Sequence, residues 1–461
     1  MTLTESAVDA LRATFRGPLV GPDDPDYDVA RSVWNAMVDK RPSVVARCTG
    51  PADVISAVNF ARDHDLPLAV RGGAHSAAGK GTCDDGVVID LSLMKGIRID
   101  PSAGTARAQG GVKWGDFDHE TQAVGMATPG GVISTTGIAG LTLGGGFGWL
   151  TRRFGLSCDN LVSVDLVTAA GEQLVCNDDE NADLFWALRG GGGNFGVATS
   201  FEYQLHPVGP LVLGGLIGWP LAQAPEILAF HREQTRSAPD ELGISAAFVT
   251  APPLPFVPEA LQFQPAVAVI LCWSGDLDEG REVIRPWLDL APPIQMVEAM
   301  PYTIMNSLQD ALAPPGRHSY WKSGYLAELP DDAIAAVADV ASEVPSPFSL
   351  AEIVLWGGAA GRVGADDTAF GQRDGRFLFN AISMWEDPGD TEANVAWARG
   401  FYEALQPFAT EGVYVNFLSE EGDQRVVEAY GAEKYARLAS IKSEYDPDNL
   451  FRLNQNIIPA P

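Results

Sequence analysis

The chain of 461 residues carries 60 acidic against 31 basic side chains, a net charge of −29 with a pI near 4.4. So negative a field excludes nucleic acid and anionic membrane as partners. With 46% hydrophobic and 20% charged residues, the composition is that of a globular protein long enough for two or three domains.

No run of about 20 apolar residues occurs, and the N-terminal MTLTESAVDALRATFRG lacks an apolar signal core. Neither a membrane span nor export is therefore expected, and the cytoplasm is the default location. The cysteines, Cys48, Cys83, Cys158, Cys176 and Cys272, show no C-x-x-C spacing, which argues against a structural metal or a disulfide framework.

In chain order, a helix-like opening leads to alternation over residues 43–48, which predicts a strand. PADVISAVNFARDHD predicts an amphipathic helix with Pro51 in its first turn. A short apolar strand, LPLAV, then enters the loop Arg71-Gly72-Gly73-Ala74-His75-Ser76. GVVIDLSLMKGIRID and TARAQGGVKW read as strands joined by turns at Gly96 and at residues 102–104.

Residues 135–160, TTGIAGLTLGGGFGWLTRRFGLSCDN, hold glycines at 137, 140, 144, 145, 146, 148 and 155 and reach Cys158 just before Asp159. Glycine clusters of this density let backbone N–H groups approach a ligand closely and form anion-binding concavities. The two loops together suit a large phosphate-bearing cofactor. LVSVDLVTAAGEQLVC then predicts a hairpin turning near Gly171, NADLFWALRG a helix capped by Asn181, and FGVATSFEYQLHPV a strand.

From 207 to 411, strand-like runs (VLGGLIGW, ISAAFVT, AVAVILCW, FSLAEIVLW, RFLFNAISMW) alternate with helix-like ones. That order predicts an antiparallel sheet with helices on one face. From about Gly412 the chain returns toward the cofactor through YVNF, a helical GAEKYARLASIKSEY and a tail.

Two nucleotide motifs fail. The run from Gly73 to Lys80 resembles a P-loop but is one residue too long, and Gly81 stands where a Ser/Thr should hold magnesium. Residues 191–196 satisfy G-x-G-x-x-G but follow a helix and precede a strand, the reverse of a dinucleotide fold.

RGGAHSAAG, GGVISTTGIAGLTLGGGFGWLTRRFGLSCDNL, LRGGGGNFGV and YDPDNLFRLNQNIIP together resemble the berberine bridge enzyme-like oxidases of the vanillyl alcohol oxidase superfamily, nearly end to end. The resemblance implies an α+β fold of two domains. A PCMH-type FAD-binding domain would span residues 1–206, completed by 412–461. A substrate domain over 207–411 would lay an antiparallel sheet, backed by helices, over the flavin.

The resemblance also implies FAD attached twice, through its 8α-methyl to His75 and through C6 to Cys158. Further cofactor contacts are expected from Arg71, Gly72, Gly73, Ala74, Ser76 and Gly79 in the first loop. The second stretch would supply Gly131, Thr135, Thr136, Gly137, Gly140, Gly144, Gly145, Gly148 and Asp159. Gly193, Phe195, Gly196 and Val197 would meet the adenine–ribose part, and Asn416, Asn454 and Asn456 the flavin edge.

The implied activity is an FAD-dependent oxidase that takes hydride from a hydroxyl- or amine-bearing small molecule and reduces O2 to H2O2. Relatives that oxidise alcohols and sugars use the last tyrosine of Y-x-N-Y as base, whereas Tyr414-Val415-Asn416-Phe417 ends in phenylalanine. Plant members place Glu or Gln where this chain has Asn380. Tyr414 and Asn380 remain candidates for handling the substrate, HSYWKSGYL adds Tyr320 and Lys322, and Glu352 and Arg373 come after them. Two alternatives stay open: a dehydrogenase with another electron acceptor, and a flavin-bearing binding protein with little turnover.

Overall fold

The computed structural model describes residues 5–461. Residues 1–4 of the expected N-terminal helix lie outside that range, and the described helix is Glu5–Thr14. Strands β1 (Leu19–Val20), β2 (Val44–Arg47), β3 (Leu68–Arg71) and β4 (Val87–Asp90) form one sheet in the order β1-β2-β4-β3.

β4 runs parallel to both β2 and β3 and is buried throughout. Its unbroken Val-Val-Ile is what a strand covered on both faces requires. The helix Pro51–Asp63 makes the crossover from β2 to β3, burying Val54, Ala57, Val58 and Ala61. The expected sequence of strand, helix, strand and glycine loop is present.

Strands β5 (Ile97–Asp100), β6 (Thr105–Gln109), β8 (Leu161–Val167), β9 (Gln173–Cys176) and β10 (Val197–Gln204) form an antiparallel sheet in the order β5-β6-β10-β8-β9. The two-residue β7 (Met126–Ala127) pairs instead with β11 (His206–Pro207).

The third large sheet is built from β12 (Val212–Pro220), β13 (Leu242–Thr250), β14 (Pro265–Trp273), β15 (Ile294–Met300), β16 (His318–Leu326), β17 (Leu350–Leu355) and β18 (Phe377–Trp385). Its order is β15-β12-β14-β13-β17-β18-β16, antiparallel throughout. Side chains alternate between its faces. Ile353, Leu355, Phe377, Phe379 and Ala381 join the helices Ala224–Gln234, Leu277–Leu288, Asp331–Ala341 and Thr391–Leu405 in one core. Leu350, Glu352, Ile382 and Met384 point the other way, onto a cavity.

Three local features differ from the sequence expectation. β15 reads weakly because this edge strand leaves Gln295 and Glu298 exposed. The helix Asp423–Tyr430 is short and polar, with only Val426, Ala429 and Tyr430 buried. Asn181 precedes the helix Ala182–Leu188 without capping it: its backbone is left-handed (φ 52°), and its amide donates to the Val175 carbonyl at 2.7 Å. No described helix is long and apolar enough to cross a membrane.

The opposite edge, β16, is covered by the N-terminal segment. Asn35 Nδ2 donates to the carbonyls of Ser319 (2.9 Å) and Ala77 (2.8 Å), and Asn35 Oδ1 accepts the Ser319 N–H at 3.0 Å. Such a cover blunts an edge that would otherwise offer unpaired groups to another strand. Asn35→Ala leaves buried backbone groups without partners and is expected to cost about 2–3 kcal/mol. A fall in the urea midpoint with an unchanged m-value checks this.

Candidate active site

A cavity of about 320 Å3 is lined on one side by glycine loops and on the other by the seven-stranded sheet. Among the expected cofactor residues, Arg71, Gly72, Gly73, Ala74, His75, Ser76, Gly131, Thr136, Gly137, Gly140, Gly193, Gly196, Asn416 and Asn454 border it. The first two loops touch backbone to backbone. A Cβ on Gly73 would lie 2.2 Å from the Gly137 nitrogen, and one on Gly137 would lie 2.3 Å from the Gly73 nitrogen. Only glycine permits that approach at either position.

Arg71 borders the cavity, but its guanidinium is committed to buried Asp90 (2.7 Å) and to the Ala30 carbonyl. It braces the loop rather than offering charge to a ligand. At the chain's other end, Asn454 Nδ2 donates to the Gly193 carbonyl at 2.8 Å. The fully buried Lys442 donates to the carbonyls of Asn194 and Phe451, each at 3.1 Å, and pairs with Asp446 at 3.3 Å. Asn194 and Gln455, which the sequence reading passed over, complete this wall.

His75 Nε2 lies 3.0 Å from Thr135 Oγ1 and Nδ1 lies 3.5 Å from Thr136 Oγ1. Its ring stacks on Trp34 with centroids 5.5 Å apart, and Trp34 meets Trp321 edge-on at 5.9 Å. Burial, with a smaller contribution from Lys113, holds the imidazole down at about 4. It is therefore neutral at physiological pH, with a ring-nitrogen lone pair free for bonding.

Cys158 is placed differently from expectation. It is fully buried and outside the cavity lining, in a cluster with Phe147, Leu156, Tyr325, Trp356, Phe370 and Tyr414. Burial first, and then Asp159, pushes its thiol well above the usual range. The cause is local: the Cys158 N–H donates to the Gly145 carbonyl at 2.8 Å, which ties the turn beneath the glycine stretch. Asp159 likewise serves structure, accepting both Arg373 Nη groups at 2.7 and 3.0 Å.

Other expected contacts also act from behind the wall. Gly79 (φ 65°) packs on Val38, and a Cβ on Gly144 would meet Asn416 Oδ1 at 2.1 Å. Gly145 has φ 119°, and a Cβ on Gly148 would meet the Gly130 carbonyl oxygen at 2.1 Å, so both shape the turn. Thr135 reaches the site only through His75. Phe195 and Val197 are fully buried core residues, and Asn456 lies outside the lining.

The catalytic candidates rearrange more. Tyr414 borders the cavity, but its oxygen accepts the Gly146 N–H (3.0 Å) and Asn416 Nδ2 (2.9 Å), while burial drives its phenol upward. It keeps its proton and braces the turn. Tyr320 and Lys322 are on the helix-facing side of β16. Tyr320 accepts from Arg399 at 3.3 Å, and Lys322 pairs with Glu421. Their neighbour Trp321 faces the cavity instead, packing edge-on against Phe417 at 5.2 Å. Asn380 is fully buried, opposite Glu352 in the β17–β18 register.

Glu352 is the one carboxylate among the described residues lining the cavity. It is half-buried, and its enclosed setting lifts it to about 7, partly offset by the nearby Asn380 amide. The sequence carried the signal: on β17, an acid stands between Leu350 and Val354 on a face that is otherwise apolar.

A long groove of bare backbone, closed by a tail from the far end of the chain, defines a holder for an extended flat cofactor. Similarity to known proteins agrees with that geometry. Residues 42–177 match the FAD binding domain model, and residues 413–458 match the berberine and berberine like model. The chain is 33% identical to (R)-6-hydroxynicotine oxidase of Paenarthrobacter nicotinovorans, over 97% of each protein. It is 31% identical to an uncharacterized FAD-linked oxidoreductase of Bacillus subtilis (strain 168), covering 97% of this chain and 98% of that one.

The solved structure of 6-hydroxy-D-nicotine oxidase from Arthrobacter nicotinovorans matches with a TM-score of 0.88 at 31% identity, covering 97% of this chain and 98% of that one. The chain belongs to the berberine bridge enzyme-like family of FAD-linked oxidoreductases. Gly137→Ala drives a methyl group into the Gly73 backbone and is expected to cost about 2–3 kcal/mol. Chemical denaturation and the FAD content of the purified variant check this.

Proposed function

We propose that the chain is an oxidase whose FAD lies along the glycine groove, joined through its 8α-methyl to His75 alone, and that it passes electrons to O2 with release of H2O2. The carrying observation is His75, a neutral imidazole held by Thr135, Thr136 and Trp34 at a cavity that no cysteine among the described residues lines. When bound, FAD supplies a hydride acceptor at N5. Residues 1–206 and 412–461 form the FAD-binding domain in this reading, and residues 207–411 form the substrate domain. The active site falls where the two meet, as is common for cofactor enzymes.

The sheet-side wall supports one class of substrate. Leu312, Trp321, Leu350, Ile382, Met384 and Phe417 are apolar, and Gln309 and Glu352 are the polar exceptions. A sugar buried there would leave several hydroxyls without partners, each at a cost of about 1–3 kcal/mol. The wall suits a compact aromatic or apolar body carrying one hydroxyl or amine. The names of the similar nicotine oxidases point the same way.

Intact-mass analysis should find one FAD added to the wild type, none added to His75→Ala, and full loading in Cys158→Ser. FAD retained covalently on His75→Ala would restore the two-bond arrangement, and release of colour from acid-precipitated wild type would overturn covalent attachment. A panel of (R)- and (S)-6-hydroxynicotine, benzylic alcohols, benzylic amines, glucose and cellobiose tests the activity. Aromatic members should bleach the flavin anaerobically and yield peroxide in air, while the sugars should do neither. Slow reoxidation of the bleached protein in air would favour a dehydrogenase.

A further inference from the structure

We propose that Glu352 is the catalytic proton acceptor of this site, one strand over from Asn380. The inference rests on the flavin-oxidase reading above. Oxidation of a C–OH or C–NH group removes a hydride from carbon, for the flavin, and a proton from the heteroatom, leaving C=O or C=N. That proton needs a base within reach. Phe417 offers no basic atom, Asn380 cannot usefully accept a proton, Tyr414 holds its own, and His75 is the point of attachment.

The surroundings of Glu352 are built for proton traffic. Ser323, Asn380 and Glu352 are register neighbours on β16, β18 and β17, so they form a polar row on one face of the sheet. Ser323 Oγ and both amide atoms of Asn380 are buried without a hydrogen bond of good geometry. Native cores rarely keep such orphans unless something uses them.

Beyond Glu352 lies a second, smaller cavity of about 30 Å3, also bordered by Trp149, Ser245 and Trp356. Ser245 Oγ and both indole N–H groups are buried and unpartnered. Three donors and a carboxylate around a space of that size describe an ordered water site. A water held there would hydrogen-bond to the Glu352 carboxylate and hold it in place.

The groups facing Glu352 do not compete for this role. Asn380 comes from β18, Ala247 and Ser245 from β13, and Val132, Phe147 and Gln309 from the loops. Arg152, across the small cavity, is the one charged neighbour among the described residues, and its guanidinium donates to the carbonyls of Leu242, Trp356 and Ala238 at 2.8–3.0 Å. Burial places the Glu352 carboxyl near 7, where a base works best at neutral pH. Since the ionised form is the acceptor, flavin reduction should fall as pH drops through about 7.

Two measurements on the holoenzyme test the assignment. Infrared difference spectra between pH 6 and pH 8 should show a carboxylic C=O band that disappears as pH rises. The band should be absent from Glu352→Gln and retained in Asp118→Asn, which controls for the other carboxyl that burial lifts to about 7. With the panel member that bleaches the wild type, Glu352→Gln should slow flavin reduction by about 100-fold or more and remove the acid limb of the pH profile. Moving the carboxylate across the register, in Glu352→Gln with Asn380→Glu, should recover part of the rate.

Equal rates and equal pH profiles in wild type and Glu352→Gln would overturn the proposal, as would a carboxyl band unchanged by the substitution. If no panel member bleaches the wild type, the oxidase reading falls and takes this assignment with it.

Discussion

The close approach of Gly73 to Gly137 is the constraint on which the rest of the structure depends. Two loops about 60 residues apart in sequence meet with no side chain between them, and the groove they form presents backbone rather than side chains. A glycine-lined groove is costly to hold in shape, because glycine loses more chain entropy on folding than any other residue. The cost is offset outside the groove, where rigid braces fix each loop. Arg71 is clamped to Asp90, Tyr414 to Gly146 and Asn416, Asp159 to Arg373, and Lys442 to Asn194. Several residues that look like ligand contacts in the sequence turn out to be these braces.

The seven-stranded sheet does the complementary work. Its helix side is a continuous apolar core that gives the sheet stiffness, which leaves its other face free to vary. That face is mostly apolar, with one polar row running into the cavity. In the reading proposed above, specificity and proton handling sit on a rigid β framework and the cofactor among loops. Such a division lets one fold host many reactions by changing side chains on a single sheet face.

The fold was readable because periodicity and glycine clustering are local signals. The parallel unit around Pro51, the hairpin at Gly171 and five strands of the large sheet were all apparent from pattern. His75 was readable as a residue bordering the cavity because its loop leaves a side chain little freedom. Cys158 was not, since the motif fixes where its backbone lies and not which way its sulfur points. Tyr320 and Lys322 failed for a related reason. On an edge strand with polar residues on both faces, alternation alone does not say which face meets the site, and Trp321 took the inward position. Glu352 was visible only as a polar interruption in an apolar stripe, a signal that becomes meaningful once the register sets it beside Asn380.

The cavity's walls run from Trp34 to Gln455, nearly the whole chain. A ribosome releases its product N-terminus first, at about 5–20 residues per second. Asn454 and Gln455 therefore leave the ribosome well after the Arg71 loop, and the wall they form is added to a loop that has already emerged. The complete groove is thus assembled only after both of its ends have emerged.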